Sequence, residues 1–173
     1  FMNQSISDYK DYHVQPIYYR QVGGRYFKIV TNYSTGSNKE VFIKLDNKLA
    51  NAIGCILSSN LSFWYYQVFS DNLSWQKPVI TSFRIPNVTN LEIQQIEKLY
   101  QEYLNDIEAN VRIRATSSGS KYTMDTFKEY KIVKSKHIID RIDDYICPLY
   151  GLTQEETEFV KNYELEFRMS GAE

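Results

Sequence analysis

The first half of the chain opens with short runs dense in β-branched and aromatic residues, then shifts to a helical rhythm. VQPIYYRQV and RYFKIVTNY are joined by Gly23-Gly24, a loop that suits a type I′ or II′ turn and predicts a hairpin. EVFIKL (Glu40 to Leu45) predicts another strand after the turn-prone STGSN. One hairpin face carries Tyr18, Arg20, Val22, Arg25, Phe27 and Ile29, the other Ile17, Tyr19, Gln21, Tyr26, Lys28 and Val30. Neither face is cleanly apolar, so the pattern leaves the buried face open.

From Asp46, a candidate N-cap, apolar residues recur at i, i+3, i+4: Leu49, Ala52, Ile53, Ile56, Leu57, then Asn60, Phe63 and Trp64. This predicts one helix running into FWYYQVF, with Phe63, Trp64 and Val68 against the sheet and Tyr65, Tyr66 and Phe69 spread around its end. SDNLSWQKP would then leave the helix and place Trp75 in a polar loop. VITSFRIP (Val79 to Pro86) predicts a strand stopped by Pro86. Thr89 and Glu92 have capping-box spacing and open a helix with Ile96, Leu99, Tyr100, Tyr103, Leu104, Ile107 and Val111 on one face, ending near the connector ATSSGS. A further helix is expected from about Ser135 to Pro148, with Ile138, Ile139, Ile142 and Ile146 inward, and Thr153 and Glu156 cap a last short one. The expected class is α+β: a small, mostly antiparallel sheet packed by helices, followed by a helical C-terminal region. We divide it into a sheet-rich lobe, residues 1–88, and a helical lobe, 89–173, forming one continuous structural unit.

Composition narrows the class. At 173 residues the chain suits one substantial core, and no apolar run approaches the ~20 residues of a membrane span, so no membrane partner is expected. Cys55 and Cys147 stand in apolar helical contexts without paired spacing, which favours core thiols in a reducing, cytoplasmic setting. The opening FMNQSISD, with Phe before the first Met, looks like a piece cut from a longer protein.

Net charge is −1, yet the charge is segregated: residues 1–88 hold nine Lys/Arg against five Asp/Glu, and residues 112–141 eight against three. The stretch from Ile142 onward is strongly acidic. A uniformly basic nucleic-acid binder is excluded, whereas local basic faces are not.

Most catalytic chemistry is missing. There is no phosphate loop, and Gly23-Gly24 lacks the third glycine and following helix of a dinucleotide fingerprint. His13 and His137 have no ligands at metal spacing, so no metal site is expected. Asp125, Glu129 and Lys131 have the acidic-x-Lys form of Mg-dependent nucleases. The same triplet recurs at Asp8 to Lys10 and Asp46 to Lys48, which makes it undiagnostic. What remains are planar and polar side chains suited to reading DNA: Arg20, Gln21 and Arg25 around the hairpin tip, then Asn72, Ser74, Trp75, Gln76 and Lys77. Arg reads guanine and Gln or Asn adenine by paired hydrogen bonds, while Lys neutralises phosphate; Trp75 would offer a base-stacking ring.

The pattern IYYRQVGGRYFKIV, LANAIGCILSSNLSFWYYQVFSD, SFRIP before a long helix, and IIDRIDDYICPLYGLTQEETEFVKNYELEFRM at the end resembles the C-terminal specificity region of fused type IIG restriction-modification enzymes. The resemblance covers nearly the whole chain and implies the natural carboxyl end. It implies a target recognition domain that holds double-stranded DNA opposite an adenine-N6 methyltransferase domain of the same parent, ready for base flipping. The parent would use S-adenosylmethionine, and Mg if it cleaves. This chain lacks the Pro-Pro-(Tyr/Phe) adenine motif, since Pro16, Pro78, Pro86 and Pro148 are never adjacent, and it carries no cofactor site of its own. It is therefore expected to be inert as an enzyme. The alternative is a non-catalytic interaction or scaffold module, in which the acidic segment from Ile142 docks onto the parent; a small nuclease built on Asp125, Glu129 and Lys131 is a third reading.

Overall fold

The structure is a computed structural model and describes residues 2–6, 14–22, 29–115 and 126–169. It is α+β, with antiparallel strands early and helices dominating the C-terminal region. β1 (Met2–Ser5) pairs with β5 (Arg84–Pro86), and β2 (Val14–Arg20) is the middle strand between β3 (Val30–Thr31) and β4 (Glu40–Asp46). Val14 faces Asp46 and Arg20 faces Glu40 along the whole of β2 and β4.

The sheet resolves which hairpin face is inside. Ile17 and Tyr19 of β2 are buried with Ile43 and Leu45 of β4, while Arg20 and Phe42 stand on the open side. A two-residue loop at Gly23-Gly24 would pair Tyr18 with Ile29, but Thr31 is opposite Tyr18, a register offset by two residues. The loop itself lies outside the described residues. Pro16 is tolerated in β2 because β3 pairs only at Tyr18 and Tyr19, so the missing N–H has no ladder partner to lose on that side.

α1 (Ala50–Leu57) lies across the buried face of this sheet. Leu49 is its N-cap, and Asp46 instead holds the preceding turn, its carboxylate accepting the Lys48 amide at 2.7 Å; the expected Asp46 cap is corrected. Nor is the helix continuous into the aromatic run. α2 (Asn60–Phe69) starts afresh after Ser58-Ser59, whose hydroxyls bond back to Gly54 and Ile56 carbonyls while Ser59 turns extended and caps the Ser62 amide. Serine hydroxyls compete with the helix ladder in this way. The restart turns the aromatic face: Phe63 and Tyr66 are buried, Trp64 is half-buried, and Val68, expected against the sheet, is 47% exposed.

Two expectations downstream also fail. Val79 to Ser82 belong to α3 (Lys77–Ser82), begun by Pro78 in its first turn, and only Arg84–Pro86 is strand. The β-branched run favoured a strand, but tertiary context overrides so weak a preference. After α4 (Asn90–Ala109), Val111 does not continue the helix; it starts β6 (Val111–Ala115), which pairs antiparallel with β7 (Thr126–Tyr130). The capping box at Thr89 and Glu92 is present as expected, and so is the one at Thr153 and Glu156 that opens α6 (Gln154–Asn162).

α4 packs between α1 and α5 (Lys136–Leu149), and α2 rests on α5 and α6. Gly54 lets α1 approach α4: a Cβ there would sit 2.7 Å from the Tyr100 ring. One hydrophobic cluster joins Ile17 and Ile43 of the sheet to Ile139 and Val160 of the C-terminal helices. A 3-10 turn (Ile132–Ser135) leads into α5, and α7 (Leu165–Met169) ends the described chain. Cys55 and Cys147 are buried free thiols. No helix among the described residues is long and apolar enough to cross a membrane.

Candidate nucleic-acid interface

The two segments singled out for DNA reading meet. Where β2 ends, the Gln21 carbonyl accepts the Trp75 amide at 2.8 Å, and Val22 forms an antiparallel bridge with Ser74. On its other side Gln21 donates its own amide to the Lys39 carbonyl at 3.1 Å. The exit of β2 is thus stitched to the 70–77 loop along one flank and to the entry of β4 along the other.

The loop holds its shape through its own side chains. Asp71 accepts the amides of Leu73 at 3.0 Å and Ser74 at 3.3 Å, an Asx turn, while the Ser70 hydroxyl takes the Asn72 amide at 3.1 Å. Asn72 sits at φ 57°, a left-handed conformation that asparagine tolerates better than most residues. Gln76 then turns extended and caps α3 with its carbonyl, which accepts from Val79 and Ile80.

Trp75 corrects the expectation most directly. It is 2% exposed, not presented by a polar loop, and its ring packs edge-on against Tyr19 at 5.5 Å and Tyr66 at 6.2 Å. Burial pushes the Tyr19 phenol up to about 12 and raises Tyr66 as well, the latter opposed by a hydrogen bond from Ser70. Trp75 cannot stack on a base. It nails the loop to the underside of the sheet, while its neighbours face outward: Asn72, Gln76 and Lys77 are exposed and Ser74 is half-buried. Arg20 is exposed, with its Nε donating to the Val22 carbonyl at 2.9 Å, and Gln21 is half-buried. Arg25 lies outside the described residues.

Of the nuclease-like triplet, Asp125 also lies outside them; Glu129 and Lys131 form an ion pair at 3.9 Å. His13 lies outside the described residues too, and His137 is an exposed side chain whose Nε2 is 3.4 Å from Asp106. Among the described residues no group of three His, Cys, Asp or Glu side chains is placed to hold a metal ion.

The sequence reading missed one feature with a bearing on ligands, the β6–β7 pair. Its signal was present as the alternation VRIRA directly after the α4 C-cap Asn110 and TFKEY beyond the Ser/Gly-rich connector. At its root, Glu108 gathers the Tyr33 and Tyr130 hydroxyls, at 2.7 and 2.6 Å, and the Lys128 ammonium at 2.7 Å. Burial pushes the Glu108 carboxyl up, but these three hydrogen bonds outweigh it and hold the group below the usual carboxylate range. Both phenols are raised, by burial first and by the bond to the carboxylate next.

Set against family models, curated proteins and solved structures, the chain finds no match in any of the three comparisons.

Proposed function

We propose that this chain is a DNA target recognition module, the role implied by its resemblance to the specificity region of type IIG restriction-modification enzymes. The carrying observation is the bond from the Trp75 amide to the Gln21 carbonyl, which brings together two segments far apart in sequence. Arg20, Asn72, Gln76 and Lys77 of these segments are exposed, and the Trp75 ring sunk in the core anchors the loop. A reading surface needs side chains with paired donors and acceptors held by a rigid support. In this reading Trp75 is a positioning residue, Gln76, Asn72 and the arginines at 20 and 25 address base edges, and Lys77 addresses phosphate. Methyl transfer belongs to a partner domain that would supply the S-adenosylmethionine site.

The test separates the two kinds of contact. Duplexes are first selected from a random pool on the chain at low salt, where phosphate contacts count most. Lys77→Ala is expected to weaken binding to selected and random duplexes alike and to flatten the salt dependence by about one unit of slope, whereas Gln76→Ala costs ~1–3 kcal/mol on the selected sequence alone. If selection enriches no sequence and both variants bind as the parent chain does, this surface does not read DNA and the scaffold role takes its place.

A further inference from the structure

We infer that the β6–β7 ribbon is a second DNA contact, an arm laid on a duplex beside the reading surface. The inference rests on the proposed recognition role and extends it to Arg112 and Ile113, which no motif marked.

β6 and β7 pair only with each other, from Val111 opposite Tyr130 to Ala115 opposite Thr126, and no third strand joins them among the described residues. Among the described residues neither strand packs broadly on another element. A two-stranded ribbon is marginal in water by itself, and here its root is tied down: Tyr130 and Lys128 are bound to Glu108 at the end of α4, together with Tyr33 from beyond β3. The ribbon is therefore fixed at one end, and beyond that root Arg112, Ile113 and Lys128 are exposed.

Its composition suits a polyanion. Residues 111–115 and 126–131 hold four bases, Arg112, Arg114, Lys128 and Lys131, against the single acid Glu129, in a chain whose net charge is −1. Glu129 stands opposite Arg112 in the register and within 3.9 Å of Lys131, and Glu108 at the root holds Lys128, so the local excess is positive with both acids counted. Arg112 is exposed, and Ile113, an apolar side chain on the opposite face of the ribbon, is 74% exposed. Base edges offer such a side chain the thymine methyl, and phosphates offer Arg112 a partner.

The size fits as well. Five paired residues span ~17 Å at ~3.4 Å each, and two strands lie ~4.8 Å apart. A major groove ~12 Å wide admits a ribbon of that width.

Binding of a short fluorescein-labelled duplex of mixed sequence, followed by anisotropy across a salt series, tests the inference. Arg112→Ala is expected to reduce the slope of log affinity against log salt by about one, and Arg112→Glu to reduce it further, with thermal unfolding unchanged. Ile113→Cys, labelled with an environment-sensitive dye, is expected to change its emission when the duplex is added. If both Arg112 variants and the dye respond like controls while Lys77→Ala still flattens the slope, the ribbon is no DNA contact and the reading surface stands alone. Absence of any salt-dependent duplex binding by the parent chain would sink the recognition role and the ribbon with it.

Discussion

Asp143 and Glu108 each gather several hydrogen-bond donors, and they respond in opposite ways. Asp143, on α5, accepts the Asn60 and Leu61 amides at 3.0 Å each, the Asn60 side-chain amide at 2.7 Å and, more weakly, the Cys147 thiol at 3.9 Å. It thereby caps α2 from another helix, satisfying backbone donors that Ser59 does not reach. Burial nevertheless lifts its carboxyl to about 7, against those donors, because the group has no exposed surface. Glu108 keeps 32% of its side chain in water and stays below the usual range. Access to water and the charge of the neighbours decide together: burial and then Asp140 push Asp143 toward neutrality, while the partly exposed Glu108 is held charged by donors that include the Lys128 ammonium.

The surroundings sharpen the contrast. Arg168 of α7 is fully buried beside Asp143, donating to the Asn60 side-chain carbonyl and lying 4.6 Å over the Phe63 ring. The last described helix is thus locked to the start of α2 through a polar knot inside the core, whereas the Glu108 cluster is a clasp at the rim.

Removing the knot's acceptor is the largest expected effect. Asp143→Ala leaves three buried donors without an acceptor, at ~1–3 kcal/mol each, so the loss of unfolding free energy is on the order of 5 kcal/mol. Urea unfolding measures it. A loss below about 1 kcal/mol would mean that α2 does not depend on its distant cap.

The pH dependence comes next. Asp143 has a folded pKa of about 7, raised above its unfolded value, so the fold retains a proton that the unfolded chain releases at lower pH. Its contribution is fully present below ~4 and is lost as pH rises to about 7, on the order of 4 kcal/mol across that window. Glu108, held below its unfolded value, has the opposite sign: its contribution is present above the unfolded pKa and is lost as pH falls through the folded one. Subtracting the stability profile of Asp143→Asn from that of the parent chain isolates the first slope. A difference that stays flat from pH 4 to 7 would contradict the burial argument.

These two clusters also mark how far the sequence was legible. The capping boxes at Thr89 and Thr153 and the apolar stripes of α4 and α5 could be read because each is specified within a turn or two of chain. The Asp143 cap spans 83 residues and leaves no local trace. The same holds for Trp75, whose polar neighbours describe the loop's surface while its ring is drawn under by Tyr19, more than fifty residues earlier. In the candidate site, the exposed residues on either side of Trp75 were legible from chemistry, and the contact that joins the two segments was not, since a backbone bond between Trp75 and Gln21 has no side-chain signature.

The smallest effect is expected at Glu108, and the reason is geometric. Both tyrosine hydroxyls bond to its Oε1, and only Lys128 bonds to Oε2. A glutamine can keep its carbonyl oxygen where Oε1 is and place its amide where Oε2 was, so Glu108→Gln forfeits only the contact with Lys128, whose side chain is 43% exposed. Such a pair contributes at most ~1 kcal/mol. Asp143→Asn has no equivalent solution, because donors approach both oxygens: the two from Asn60 on Oδ2 and the Leu61 amide on Oδ1. Whichever way the amide turns, its NH₂ meets an N–H. The two isosteric changes should therefore differ in urea unfolding at pH 7, Glu108→Gln costing at most about 1 kcal/mol and Asp143→Asn clearly more. Equal costs would show that which oxygen each donor uses does not govern how these carboxylates hold the fold.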